Sequence, residues 1–328
     1  MGESDLVIGA GVIGSRVARL LAERGDRVIV ASRRGSAPER SGAPAGTPGV
    51  THVAADAADA AAMARLADGA AVIYNCVNPP YHCWPADWPP IAASVLAAAE
   101  RSGAVLVTLS NLYGYGPAGR SLGAGAYDEA HPMTEATPLA ATGPKGRIRA
   151  RVWQDALAAH QAGRVRATEV RPSDFVGPGA QSALGERVLG RIRRGRGVSV
   201  LGRADQPHTW SFTDDVARML VVAGTDPRAW GRAWHAPSNG PRSQREAVED
   251  LALAAGASRS GRVRVGTIPS VVLRGIGLVS PLMRELRETE YQFRDAFVMD
   301  SSAAQAAFGL KPTPWDEVVS MTVNPASR

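Results

Sequence analysis

Only two of the 328 residues are cysteine, Cys76 and Cys83, and their spacing supplies neither a disulfide framework nor a C-x-x-C metal knuckle. That scarcity suits a reducing compartment, so a cytoplasmic location is expected. Aromatic residues make up 5% of the chain, and lysine occurs only as Lys145 and Lys311, leaving arginine to fill the rest of the 37 basic positions. Long apolar runs are missing as well. The longest late one, Ile268 to Met283, is broken by Pro269, Arg274 and Pro281, so no bilayer span and no membrane partner are expected. The start, Met1-Gly-Glu-Ser-Asp5, lacks the charged leader of a signal peptide. No His/Cys/Asp group has metal-ligand spacing and no G-x-S-x-G elbow occurs, so no metal is expected.

What is present is ordinary for a soluble globular protein: 45% hydrophobic and 21% charged residues. The length allows two domains, or one large α/β domain with an appended lobe. A net charge of +6 raises the question of nucleic acid. The charge is dispersed, however, and its densest stretch, Arg187 to Arg196, places Leu189 and Ile192 beside the arginines, as one exposed helix face would. No nucleic-acid partner is expected.

Alternation of short β-branched runs with helical patterns organises the first half. Asp5 to Gly9 reads as a strand, Ile13 to Arg24 as a helix and Arg27 to Ala31 as a second strand. Further strands are expected at Val50–Val53, Ala70–Asn75, Val105–Leu109 and Val165–Val170, and helices at Ala57–Leu66, Ile91–Arg101 and Gly146–Ala162. Loops are expected at Gly35–Gly49, at the Pro- and Trp-rich Asn78–Pro90 and at Gly114–Pro144. This order predicts an α/β fold, a Rossmann-type doubly wound parallel sheet. Beyond Arg171 the elements shorten, so residues 1–170 are expected to form the Rossmann-type domain. Residues 171–328 are expected to form a smaller substrate-binding lobe interleaved with the last strands.

Gly9-Ala-Gly11-Val12-Ile13-Gly14 is G-x-G-x-x-G set between a strand and a helix. The three glycines serve a tight turn, a close approach to pyrophosphate and close helix–strand packing, while the helix N-terminus favours the anion. Where an NAD-binding chain carries Asp or Glu for the ribose hydroxyls, this one has Ser32-Arg33-Arg34. Guanidinium groups suit a 2′-phosphate, so the expected cofactor is NADP(H). Asp56 follows the third strand, where it could meet the adenine or cap the next helix.

Seven ordered segments resemble the short-chain dehydrogenase/reductase superfamily, in the extended and atypical branches that include nucleotide-sugar epimerases and dehydratases. They are Gly9–Gly14, Asp56–Asp59, Ser110–Pro117, Thr134–Pro138, Arg171–Gly179, Thr209–Val216 and Asp300–Ser302. The resemblance implies a Ser or Thr near the end of the fifth strand, and Ser110 or Asn111 stands there. It also implies a Tyr-x-x-x-Lys whose lysine holds the nicotinamide ribose and lowers the tyrosine pKa. Lys145 occupies the lysine position, but Ala141 stands four residues earlier, and a methyl group cannot move a proton. Tyr113, or less directly Tyr115, is the expected replacement, at the carboxyl end of the fifth strand. The family's dimer-forming helices are Ala-rich here, which is compatible with a homodimer.

Substrate-side candidates are Tyr81 and His82 in the Pro/Trp-rich loop, with Tyr115, Asp174, Phe175, His208 and Trp210. A small-molecule substrate is expected. Three functions remain open: an NADPH-dependent reductase of a carbonyl or related unsaturated group, a redox-neutral epimerase, dehydratase or cyclase, and an NADP-sensing regulatory protein.

Overall fold

Strand β1 (Ser4–Ile8) is buried at every position, and its side chains alternate between two cores. Val7 packs on one face with Val17 and Leu21 of helix α1 (Val12–Glu23), whereas Leu6 and Ile8 pack on the other. The structure, a computed structural model, describes residues 4–36, 47–118, 127–257, 263–268 and 287–325. Strands β2 (Val28–Ser32), β3 (Val50–Ala54), β4 (Ala70–Asn75), β5 (Val105–Leu109), β6 (Arg166–Arg171) and β10 (Ala233–His235) join β1 in one parallel sheet. Its order is β10-β6-β5-β4-β1-β2-β3. The order reverses between β1 and β4, with Ile8 opposite Asn75.

Helix α1 and helix α6 (Thr213–Thr225) cover one face of the sheet, while α2 (Ala60–Leu66), α3 (Trp84–Ser102) and α4 (Pro144–Gln161) cover the other. The sheet is therefore doubly wound, as its alternating pattern requires. In the second half, β7 (Asp174–Val176) pairs with β9 (Trp210–Phe212), and β8 (Val198–Leu201) pairs with β11 (Val265–Ile268). A separate core forms there around Val188 and Ile192 of α5 (Glu186–Arg193), Trp210 and Phe212, and Val248 and Leu251 of α7 (Gln244–Ala254).

Two expected boundaries move. Helix α2 starts at Ala60 rather than Ala57, because Asp59 caps it by accepting the N–H groups of Ala61 and Ala62. The Pro- and Trp-rich stretch expected as a loop to Pro90 is helical from Trp84. Pro85 falls in the first turn, where a missing N–H costs nothing, but Pro89 and Pro90 each remove a helical hydrogen bond. Burial outweighs that loss: Trp84 and Trp88, one turn apart, are both fully buried, and the Arg149 guanidinium of α4 lies 4.7 and 4.3 Å from their rings. The expected loops at 35–49 and 114–144 and the run 268–283 lie partly outside the described residues.

A buried polar chain ties β6 to β10. Arg171 Nε donates to Glu169 at 2.6 Å and its Nη1 to the Tyr115 oxygen at 2.8 Å. Tyr115 lies 2.7 Å from His235 Nε2, and His235 Nδ1 lies 2.7 Å from the Asp300 carbonyl. A carbonyl only accepts, so Nδ1 carries the ring proton and Nε2 accepts from the Tyr115 hydroxyl. Burial holds the His235 pKa below its usual 6.5, against the opposing pull of Glu135, and pushes Tyr115 up to about 12.

Two outcomes are expected. A methyl group on Gly14 would overlap the Gly9 carbonyl oxygen, so Gly14→Ala should cost about 1–3 kcal/mol and lower the urea midpoint accordingly. Because the folded chain holds His235 neutral, the unfolded chain binds more protons below pH about 6.5, and stability falls as pH drops through that point. The loss attributable to this ring should approach about 1.4 kcal/mol per pH unit. Urea titrations at a series of pH values should show a shallower acid loss in His235→Asn than in the parent protein.

Candidate functional site

The crevice opens where the strand order reverses. Gly9 follows β1 at φ +103°, and a Cβ there would meet the Cys76 carbonyl at 2.7 Å, so only glycine lets the two strand ends approach. Gly11 caps α1 in an extended conformation, and nothing lies within 4 Å of the place its Cβ would occupy. That open ground faces the first turn of α1, whose backbone N–H groups at Val12 and Ile13 have no partner inside the helix. The Ile13 side chain is buried in the core, leaving its backbone for the ligand. Donors, dipole and space together fit a pyrophosphate.

At the end of β2, the Ser32 hydroxyl is buried without a hydrogen-bond partner among the described residues, and Arg33 and Arg34 are exposed. Asp56 is also exposed and folds back on its own turn, accepting from Ala58 N–H at 3.0 Å. The helix cap is Asp59 instead.

Beyond the cradle lies a cavity of about 160 Å³ lined by Tyr113, Ala141, Thr142, Lys145, Glu288, Tyr291 and the glycines between them. Gly146 lets the first turn of α4 press directly on Tyr113 and Ala141, since a Cβ there would overlap both. Lys145 is 3% exposed. Glu288 grips it twice: one carboxylate oxygen accepts the Lys145 backbone N–H at 2.7 Å and the other accepts from Nζ at 2.7 Å. A Cβ on Gly143 would lie 2.5 Å from the same carboxylate, so the loop is shaped around it. Sequence reasoning missed Glu288. It is 143 residues from its partner, and no spacing in its segment distinguishes it from Glu290 beside it.

The Tyr113 hydroxyl is 2.8 Å from that of Tyr81, and the Lys145 ammonium lies 5.7 Å from the Tyr81 ring. Burial is the main cause that raises the Tyr113 pKa well above 10, with Tyr81 and Asp174 adding to it. Burial also raises Tyr81, partly offset by its bond to Tyr113. Thus the structure brings Lys145, Tyr113 and Tyr81 together, with Asp174 near enough to act on both phenols.

Other expected residues are placed differently. Ser110 is buried, its hydroxyl has no hydrogen-bond partner among the described residues, and it is outside the cavity lining. Asn111 accepts the Tyr113 backbone N–H at 3.0 Å and so shapes the turn that carries Tyr113. Tyr115 is 1% exposed with its hydroxyl committed to Arg171 and His235, which leaves none for a substrate. His82 is exposed on a short helical turn away from the lining. Phe175 packs against the core, and Trp210 is buried with its N–H given to the Arg242 carbonyl at 2.9 Å. His208 is 2% exposed and lies 3.0 Å from Asp174.

The fold has many relatives of known structure. They include dTDP-glucose 4,6-dehydratase from Bacillus anthracis in complex with NAD, at 16% identity and a TM-score of 0.77, with 98% of this chain and 96% of that one covered. An epimerase from Methanothermobacter thermautotrophicus matches at 17% identity and a TM-score of 0.76, covering 98% and 91%. UDP-glucose 4-epimerase from Thermotoga maritima, with UDP-glucose, matches at 17% and 0.74, covering 98% and 97%. At such identities these structures establish the fold. No curated protein matches the chain. A sequence profile of the NAD-dependent epimerase/dehydratase family matches residues 6–234, from the first strand through the glycine cradle and Lys145 to the last strand of the sheet. The chain belongs to the NAD-dependent epimerase/dehydratase family.

Proposed function

We propose that the protein is an NADPH-dependent reductase of a carbonyl or related unsaturated group on a small organic molecule. One observation carries this reading: Ala141 offers only a methyl group beside Lys145, while the half-buried phenol of Tyr113 lines the same cavity. A phenol held well above its ordinary pKa stays protonated at neutral pH. It can give a proton to an oxygen that is becoming an alkoxide, but it is a poor base for opening a reaction by deprotonating an alcohol. Glu288 offsets the charge of Lys145 at 2.7 Å, so the ammonium draws less on neighbouring phenols than an unpaired cation would.

When bound, the reduced nicotinamide supplies the hydride. Lys145 orients the ribose, its ammonium held at the cavity wall by Glu288. The first turn of α1 holds the pyrophosphate, and Arg33 and Arg34 take the 2′-phosphate. Tyr113 protonates the product oxygen, with Tyr81 holding its hydroxyl in place. Glu288 favours a second reading, redox-neutral chemistry of the epimerase or dehydratase kind, because it puts a carboxylate base in the cavity. Deuterium delivered from labelled NADPH and retained in a net-reduced product would exclude that reading.

Three measurements bear on the proposal. A panel of aldehydes and ketones with NADPH should give substrate-dependent loss of nicotinamide absorbance, and silence across the panel would sink the reductase reading. Replacing both Arg33 and Arg34 by alanine should weaken NADPH binding about tenfold or more and leave NADH binding unchanged, because charge-assisted contacts contribute about 1.5–3 kcal/mol each. Tyr113→Phe should lower kcat by about 10²–10⁴ with little change in NADPH affinity.

A further inference from the structure

Helix α1 carries a buried cation one turn from its positive end. Its first turn has no acidic residue, and Arg16, which opens the second turn, is 7% exposed. The side chain curls back along the helix and bonds in three directions. Nη1 donates to the Val12 carbonyl at 3.1 Å, Nη2 to the Pro178 carbonyl at 2.8 Å, and Nε to the Asp214 carboxylate. Asp214 stands in the first turn of α6, where a carboxylate is favoured, so the ion pair offsets the cost of burying the guanidinium.

Pro178 and Asp214 reach Arg16 by one register. Strands β7 and β9 run parallel with Val176 opposite Phe212, and each chain meets the guanidinium two residues past that pair. Gly177 lets the two converge: it takes φ +131°, and a Cβ there would lie 2.4 Å from the Thr213 hydroxyl. Both strands of the pair therefore end against the helix that carries the glycine cradle. Lysine could not make the same junction, because its donors radiate from one atom whereas the guanidinium presents a planar fork.

Val12 joins the two sides. As the first residue of α1 it contributes one of the unpaired N–H donors of the cradle, while its carbonyl accepts from Arg16. A group that fixes this turn from outside also fixes the carbonyl that seats the guanidinium.

We propose that Arg16 is the positioning residue that makes the ends of β7 and β9 part of the dinucleotide cradle, so that an occupant of the cradle orders residues 176–180 and 212–216 together with the first turn of α1. This rests on the dinucleotide half of the proposed function and not on the choice between reductive and redox-neutral chemistry. The coupling passes from Val12 through the guanidinium to the Pro178 carbonyl on one side and the Asp214 carboxylate on the other. By linkage, the order that an occupant imposes on the strand ends returns as affinity for that occupant.

Hydrogen exchange of the full chain, read by mass spectrometry, tests the coupling with the protein alone and with saturating NADPH, NADH or ADP-ribose, the last of which carries the pyrophosphate without the nicotinamide ring. In the parent protein each compound that slows exchange at residues 11–16 should also slow it at 176–180 and 212–216, by about fivefold or more, the lower end of coupling between sites. In Arg16→Lys the slowing at 11–16 should persist at saturation, the slowing at both strand ends should be lost, and the dissociation constant should rise about fivefold or more. Asp214→Asn keeps the guanidinium and its two carbonyl contacts, so it should lose the slowing at 212–216 and retain it at 176–180, which decides the matter should Arg16→Lys fail to fold. A guanidinium that only supports the fold would let the strand ends of Arg16→Lys exchange faster with and without an occupant alike, leaving the ratio of the two states as in the parent, and that result would overturn the proposal. Strand ends slowed by NADPH but not by ADP-ribose, when both slow residues 11–16, would overturn it as well, because the nicotinamide half would then be the cause. Slowing at 11–16 with none at the strand ends of the parent protein would overturn the coupling and leave the dinucleotide reading standing. No slowing at 11–16 with any of the three compounds would remove the dinucleotide reading itself, and the coupling with it.

Discussion

The double grip of Glu288 on Lys145 is the interaction on which the reacting end of the molecule depends. A single carboxylate satisfies the backbone N–H at the start of α4 and the ammonium of the same residue. The first role is that of a helix cap, stabilising by the usual match of negative charge to a helix N-terminus. The second fixes a cation that is 3% exposed and would be costly to bury alone. Through this contact, a segment near the end of the chain sets the position of a helix that begins half a chain earlier. The cavity exists because Gly143 and Gly146 leave room for that carboxylate on one side and for the Tyr113 turn on the other.

The same device recurs deeper in the fold. Glu169 and Arg171 are buried on one strand and neutralise each other, and the hydroxyl of Tyr115 and the ring of His235 extend the chain to β10. Arg149 has no such carboxylate at bonding distance among its described contacts and instead lies over two indole rings, with burial lowering its pKa to about 10. Charges enter this interior paired or stacked. The cavity lining follows the same rule, with Lys145 set against Glu288.

Much of this was legible in the residues. The glycine turn between Ile8 and α1, the alternation of strands and helices, and the parallel sheet follow from local pattern, because β1, β4 and β5 are apolar runs of strand length bounded by turns. Lys145 stood out through the rarity of lysine and the family resemblance. Helix α3 did not, because its three prolines read locally as a loop while the reason for the helix, burial of Trp84 and Trp88 beneath Arg149, lies on another element. Glu288 was invisible for the same reason: a contact between distant segments leaves no period in either. Tyr115 illustrates the opposite error, since a tyrosine in a suggestive motif was assigned outward chemistry and the fold turned its hydroxyl inward to Arg171.

The near absence of lysine has a practical consequence once the positions are known. Lys145 is buried in its ion pair, whereas Lys311 is exposed. Among side chains, reagents that acylate or cross-link amines therefore find one exposed target, Lys311, with the guanidinium groups inert to the same chemistry. Any reaction at Lys145 would itself report that the grip of Glu288 had opened.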